Sequence, residues 1–498
     1  MVGVSLFSGA GGLDIGMERA GFTPRFATDI DAKCIATLEE NKKRNIRISR
    51  ANAHSFLQEA DIRRADLSEL NGVTIRRRLR RRIDCVYGGP PCQSFSSCGR
   101  LGSISDPRGI LVFEFCSFVE ESRPRTFLLE NVQGLVTARC RGGEPGGVLL
   151  QLVRRFEKAG YAVNVGVLNA ADYGAYQRRV RCFIVGVDSG DPPDFPAPTH
   201  YRRAEGDQLL IGGQIKPWRS LGEFLRKFAD TNEDNWTRPT ARLVGALDSI
   251  PEGSGLKSAG VVEATRPGGH WGYRQGTFIA DPSLPSRTVT GSSTQDWVRL
   301  DDHSLRRLTL AEVSRLQGFP PRWRFAGGRA AQFRQVGNAV PAVFGEVIGG
   351  MIRNYLASYR AGRRASGSRI PDRVARAIDY TKREERRNGP SRRARMVSSR
   401  LSRFNGRESP FERFLSVPAV GQGNAKCPQP NRNGDPGPAI TKYQDEPLAS
   451  GATRDARAKT APASNGRNLR SVWAINPQPF SEAHFATFPQ ALVEPCIK

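Results

Sequence analysis

One cysteine stands apart from the rest by its context. Cys92 lies in Gly88-Gly89-Pro90-Pro91-Cys92-Gln93-Ser94-Phe95-Ser96, directly after an apolar run at 83–87. Two prolines stiffen that turn and restrict where the thiol points. A thiolate is a strong nucleophile once its pKa falls or a substrate activates the step. Cys34, Cys85, Cys116, Cys140 and Cys182 lack this context and read as buried structural thiols. Phe127-Leu128-Leu129-Glu130-Asn131-Val132 ends a second apolar run on a carboxylate. If both runs are strands of one sheet, Glu130 and Cys92 share its edge. A nucleophile and an acid on one edge form an acid/base constellation.

Gln177-Arg178-Arg179-Val180-Arg181 leads into a third apolar run at 182–187. In a strand, 177, 179 and 181 point to one face. Two arginines there need an anion or a base edge, or else they form a surface salt-bridge stripe. Phe7-Ser8-Gly9-Ala10-Gly11-Gly12-Leu13 follows a strand and opens a helix. Such turns let a ligand approach the backbone, and helix-start amides can hold a carboxylate or phosphate. Others serve packing alone. Asp29, about 20 residues on, suits a ribose hydroxyl pair or is simply a solvated loop acid.

These residues require elements that bring them to one edge. Apolar runs at 2–7, 25–28, 83–87, 126–130 and 182–187 read as buried strands. Leu13, Met17 and Ala20 recur at helical spacing between the first two. Alternating strand and helix predicts a parallel, doubly wound α/β sheet. The stretch at about 188–282 is rich in Gly, Pro and Trp and breaks the rhythm, so it reads as an inserted module. Helical pattern returns at 308–317 and 342–355.

The 498 residues include 75 Lys and Arg against 49 Asp and Glu, a net charge of +26. A chain this basic meets a polyanion, with nucleic acid the first candidate. Residues 361–498 hold 25 basic and 12 acidic residues, half of that excess. Arg, Ser, Pro, Asn and Gly dominate there. A disordered tail is expected, with one helix near 372–385. No apolar run reaches the 18 or so residues of a transmembrane helix, and the first 16 residues do not read as a signal peptide. Nine scattered cysteines without a C-x-x-C pair argue against disulfides and structural zinc, and fit a cytosolic protein with reduced thiols. No metal is expected. Arg76-Arg77-Arg78-Leu79-Arg80-Arg81-Arg82 looks like a nucleic-acid patch. It precedes the strand that leads to Cys92, so it belongs at the opposite edge, where a solvated helix face is the plainer reading.

Together these segments resemble, in order, the DNA (cytosine-5) methyltransferases of bacterial restriction–modification systems. The resemblance runs from Met1 to about Tyr355. It adds Arg287-Thr288-Val289-Thr290, Arg315-Leu316-Gln317-Gly318-Phe319-Pro320 and Gln335-Val336-Gly337-Asn338-Ala339-Val340-Pro341 to the motifs above. It implies a Rossmann-like S-adenosylmethionine-dependent core at 1–187, a smaller irregular target-recognition domain at 188–300, a core-completing part at 301–360, and the basic tail at 361–498. Phe7 would pack on the cofactor's adenine, with Gly9, Gly11 and Gly12 shaping the pocket. Asp29 would bind the ribose, where most relatives have Glu. Asp61 would meet the adenine amino group, with Asp66 the competing choice. Asn338 would close the pocket. Cys92 would attack cytosine, Glu130 would hold N3 and Arg181 O2, with Arg179 bracing the site.

Ala175-Tyr176 stands where relatives often have Val-Pro. The stretch 94–102 resembles a mobile catalytic loop. In the insert, Trp218, Trp236, Trp271, Arg238, Arg242, Arg266 and Arg274 could meet DNA, although each Arg taken singly reads as a phosphate contact or a solvated side chain. The implied substrate is duplex DNA with a flipped-out cytosine, acted on by a cytoplasmic monomer with a possible cognate endonuclease. A tRNA cytosine methyltransferase and a non-catalytic DNA-binding module that kept the fold are the competing readings.

Overall fold

The computed structural model describes residues 1–48, 55–91, 107–140, 143–202, 216–257, 261–262, 277–359 and 365–388. Cys92, the stretch 94–102, Arg266, Trp271, Arg274 and the chain beyond 388 lie outside them.

Seven strands form the central sheet: β1 (Val2–Leu6), β2 (Thr23–Asp29), β3 (Asp61–Arg64), β4 (Cys85–Gly88), β5 (Thr126–Val132), β6 (Ala162–Asn169) and β7 (Val180–Val187). Their order is β3-β2-β1-β4-β5-β7-β6. The first five run parallel, and β7 is antiparallel to both β5 and β6. The wholly parallel sheet expected from the strand–helix rhythm is therefore mixed at one side. β3 (Asp-Ile-Arg-Arg) has a single apolar residue, and β6 is interrupted by Asn164 and Gly166. Neither presents the continuous apolar run that marks a buried strand.

Helices cover both faces. Among them are α1 (Gly12–Arg19), α2 (Ala32–Lys43), α3 (Gly72–Leu79), α4 (Pro107–Ser122) and α5 (Gly147–Lys158). One apolar layer joins Val86, Phe127 and Leu129 to Phe115 and Val119 of α4 and Leu152 and Phe156 of α5. Phe127 stacks on Phe156 at 4.1 Å between ring centres. Burying one such ring contributes about 2–3 kcal/mol.

The middle of the chain breaks into short pieces. It holds β8 (His200–Tyr201), β9 (Lys216–Pro217), α6 (Leu221–Phe228), α7 (Ala241–Asp248), β10 (Ser254–Gly255), β11 (Phe278–Ile279), β12 (Trp297–Arg299) and β13 (Leu305–Arg307). The last four form a small sheet. β12 pairs with β13 across residue 300, so the boundary expected there falls inside a hairpin.

The chain then returns to the core through α8 (Leu310–Leu316), α9 (Arg329–Asn338) and α10 (Ala342–Ala357). α10 packs on α1 backbone to backbone. A β-carbon on Gly345 would come within 2.9 Å of the Gly16 Cα, and one on Gly16 within 2.1 Å of the Ala342 carbonyl oxygen. Phe344, Ile348 and Ile352 bury against Leu13 and Met17 in the same layer.

The tail boundary expected at 361 needs correction. Ala365 and Arg369 bridge to Gly190 and Asn164. α11 (Asp372–Asn388) buries Val374 and Ile378 in the main apolar layer. Two well-placed apolar residues suffice to dock this otherwise charged helix, although its composition reads as tail.

Candidate active site

In an open α/β sheet, ligands meet the carboxyl ends of the parallel strands. β4 ends at Gly88, and Gly89-Pro90-Pro91 continues toward Cys92. The neighbouring strand β5 places Glu130 near its own carboxyl end, paired across the sheet with Phe183 of β7. A β-carbon on Gly89 would meet Glu130 Oε2 at 2.6 Å and the Val340 side chain at 3.6 Å. The Pro-Pro turn, the carboxylate and the returning C-terminal segment thus converge. Asn131, the next residue, donates its side-chain amide to the Pro90 carbonyl at 3.2 Å. That bond pins the turn leading to Cys92. The sequence reading passed over Asn131, although its place beside Glu130 at a strand end was a usable signal.

Glu130 is buried and pairs with Arg181 Nε at 3.0 Å. Burial holds its carboxyl above the usual range, opposed by the charges of Arg181 and Arg179. An acid so placed keeps a proton more readily than a free carboxylate and suits proton sharing with a bound ring. Arg181 is only 15% exposed in its side chain.

Arg179 has a different task. It donates to the carbonyls of Val289 at 3.0 Å and Gly337 at 2.9 Å. Gln177 donates to the Leu316 carbonyl and to Gln317 Oε1, and Gln317 donates to the carbonyls of Val336 and Ala339. Thr288 donates to the Arg178 carbonyl. Four motifs scattered from 177 to 341 are therefore one buried polar network, not a surface stripe. The network fixes the C-terminal part against β7. Gln317 is a member that the sequence reading quoted without assigning it a task.

Tyr176, the departure from Val-Pro, packs edge-on to Phe224 of α6, and its hydroxyl bonds Glu223 and Arg219. It ties the insert to the core. Trp218 donates to Asp172 of the core. Trp236 donates to the Asp230 carbonyl and lies between Arg238 and Arg306. These two tryptophans are structural anchors. Arg242 is exposed.

At the start of α1 the backbone turns through Phe7, Gly9 and Gly11, with φ of 54°, 56° and 88°. A β-carbon on Gly11 would meet Phe56 at 2.8 Å, whereas beside Gly9 nothing among the described residues lies within 4 Å. The turn is packed below and open above. Asp29, at the end of β2, accepts from the amides of Gly9 at 2.8 Å and Asp31 at 2.9 Å. Burial raises its carboxyl above the ordinary value. Gly12 abuts the Val340 carbonyl, which brings the segment after α9 beside this turn. Asn338, the last residue of α9, is exposed there.

Asp61 does not belong to this group. It is the first residue of β3, aligned with Phe26, and ion-pairs with Arg63 at 2.8 Å and Arg78 at 3.2 Å. That places it level with the middle of β2 and β1, three residues short of Arg64, which aligns with Asp29. Asp66 lies two residues past the carboxyl end of β3 and caps a short 3-10 turn at Leu67–Glu69. Register tells the two positions apart where sequence spacing could not: β3 is too polar for its ends to be seen.

Cys85 and Cys182 are fully buried, and burial pushes both thiols up to about 12. They are inert, as expected. Among the described residues no cluster of His, Cys, Asp and Glu could hold a metal, and no helix is long and apolar enough to cross a membrane.

The sequence profile of C-5 cytosine-specific DNA methylases matches residues 1–354. The chain is 38% identical over 227 residues to the Type II methyltransferase M.AquIA of Picosynechococcus, covering 45% of this chain and 86% of that one. It is 30% identical to the Type II methyltransferase M1.HphI of Haemophilus parahaemolyticus, covering 69% and 84%. To the Type II methyltransferase M.FnuDI of Fusobacterium nucleatum it is 31% identical, covering 71% and 94%.

Proposed function

The chain belongs to the C-5 cytosine-specific DNA methylase family, and from that premise we propose how its residues perform the reaction. The enzyme methylates C5 of a cytosine in duplex DNA, as the modification methylase of a restriction–modification system. The observation that carries this reading is the buried Glu130–Arg181 pair against the turn that leads to Cys92.

Cytosine C5 is a weak nucleophile, so the ring must first be activated. The Cys92 thiolate adds to C6, and Glu130 gives or shares a proton at N3, which leaves an enamine-like ring. Arg181 donates to O2 and holds the ring in register with Glu130. Arg179 acts through the backbone it binds and is a positioning residue. After methylation, loss of the C5 proton and expulsion of Cys92 restore the ring. The base must leave the duplex for this, at about a few kcal/mol. The insert supplies target recognition.

The residues at the start of α1 fit S-adenosylmethionine. The open side at Gly9 admits a ligand against backbone, and each Asp29 oxygen keeps a lone pair for a ribose hydroxyl. Phe7, Gly9, Gly11, Gly12, Asp29 and Asn338 would hold it, with Asp66 in place of Asp61 at the adenine. When bound, it supplies an electrophilic methyl group on a sulfonium. The enzyme acts as a cytoplasmic monomer, with an endonuclease of the same target as its expected partner.

Methylation mapping of DNA from a host expressing the chain tests the reading. We expect 5-methylcytosine at one short sequence, and none with Cys92→Ser. Methylation of tRNA in place of duplex DNA, or a Cys92→Ser variant at wild-type rate, would sink it.

A further inference from the structure

The arginine run at 76–82 has no task in the chemistry above. The structure gives it a shape. Arg76, Arg77, Arg80, Arg81 and Arg82 line a shallow open cleft of about 480 Å³, and Arg123 faces them from the end of α4. The cleft lies at the amino edge of the sheet. Arg82 pairs with Asp188, which follows β7, and Arg125, which precedes β5, pairs with Asp84, which precedes β4. A seven-residue strand separates the two edges by about 20 Å.

The cleft is held in place from behind. Tyr359 lies under the guanidinium groups of Arg82 and Arg125. Arg123 is anchored to the Ala159 carbonyl at 2.6 Å. Arg80 adopts a left-handed conformation, φ 49°, that ends α3 and turns Arg81 and Arg82 back toward Arg76 and Arg77. Basic residues stabilise a helix C-terminus, but one or two suffice. Among the described residues no carboxylate lies within 4 Å of Arg76, Arg77, Arg80 or Arg81, and only Arg82 of the six lining residues has an ion pair. Residues 361–498 bring no net negative charge to offset them, being net positive by 13.

We propose that this cleft docks the phosphate backbone of a second segment of duplex DNA while the carboxyl edge works on the first. Exposed guanidinium groups without fixed acceptors suit sequence-independent phosphate contacts. Their open, solvent-facing arrangement suits a rod of regularly spaced phosphates. Four neutralised phosphates give the second contact a steep salt dependence, with a log–log slope of about −3.6. The enzyme thereby bridges two stretches of DNA and stays on the polymer when the target stretch is released.

This rests on the reading that the carboxyl edge binds DNA, and the experiment separates the two. A duplex that the full-length chain methylates is tethered to beads, and a labelled second duplex is offered in solution. The wild type should recruit the label at low salt. Arg76→Ala/Arg77→Ala/Arg80→Ala/Arg81→Ala should recruit at least tenfold less while methylating the tethered duplex at the wild-type rate. A control with equal charge loss at exposed sites elsewhere, Arg154→Ala/Arg353→Ala/Arg376→Ala/Arg383→Ala, should recruit within twofold of wild type. Recruitment undiminished in the first variant, or lost equally in the control, overturns the proposal. So does a wild type that methylates the tethered duplex but recruits nothing. A chain that holds no duplex at all overturns both readings.

Discussion

The two edges of the central sheet use the same side chain in opposite ways. At the carboxyl edge, Arg179 and Arg181 are enclosed, and named acceptors hold them: two carbonyls for the first, Glu130 for the second. At the amino edge, Arg77, Arg80 and Arg81 are exposed without acid partners among the described residues. An enclosed arginine must be fully matched or it destabilises the fold, so its position is specified to fractions of an ångström. An exposed one is free to meet whatever anion arrives. The first edge is built for one geometry, the second for one charge.

The comparison breaks first at Glu130. Glu130→Gln keeps the shape but cannot give the proton, so methyl transfer should fall about 100-fold or more while S-adenosylmethionine binding persists. Single-turnover rates and calorimetry would show it. An unchanged rate would remove Glu130 from the chemistry. Arg179→Ala should act on stability, because it orphans two buried carbonyls. We expect a loss of about 2–4 kcal/mol in denaturant unfolding, with a lowered rate as a consequence. A stable variant with a reduced rate would make Arg179 a direct participant instead.

The chain end gives an intermediate effect. Ending the chain after residue 360 discards the buried Val374 and Ile378 with α11 and should lower the thermal midpoint by several degrees. Ending it after 388 should leave the midpoint and the target sequence unchanged. Equal midpoints would show that α11 is dispensable.

The smallest effect concerns acids beneath the site. Burial pushes Glu18 up to about 8 and Asp14 up to about 6. The folded chain keeps these protons where the unfolded chain, with ordinary values of 4.5 and 3.8, has released them. Their contribution to stability is complete below about pH 4 and is lost as pH rises through 8. Glu18→Gln still accepts from the Leu57 amide and cannot ionise. It should melt a few degrees higher than wild type at pH 9 and nearly equally at pH 4. A pH-independent difference would exclude the titration of Glu18 as its source.

The elements that carry the chemistry were legible because each contains a short apolar run next to a motif of distinctive composition. β1, β4, β5 and β7 were all found this way, and with them Glu130 and the turn before Cys92. β3 was not, and the choice between Asp61 and Asp66 stayed open with it: four residues with two arginines show no periodicity, and only register against β2 reveals where each acid stands. The partners of Gln177 and Arg179 were beyond sequence reading for a different reason. Apart from Gln317, their acceptors are backbone carbonyls more than 100 residues away, and a carbonyl has no letter in the sequence.

Gly16 meets Gly345 across more than 300 residues, and the whole irregular middle of the chain lies between them. Closing a loop of that size costs little more than closing a shorter one: each doubling of length adds about 0.6 kcal/mol. The irregular stretch after β7 within that interval can therefore lengthen or shrink with slight thermodynamic consequence, provided that the core strands and both glycines still meet. Core assembly instead waits on synthesis, since α10 is made long after α1. A chain interrupted anywhere before α10 leaves the apolar face of α1 uncovered.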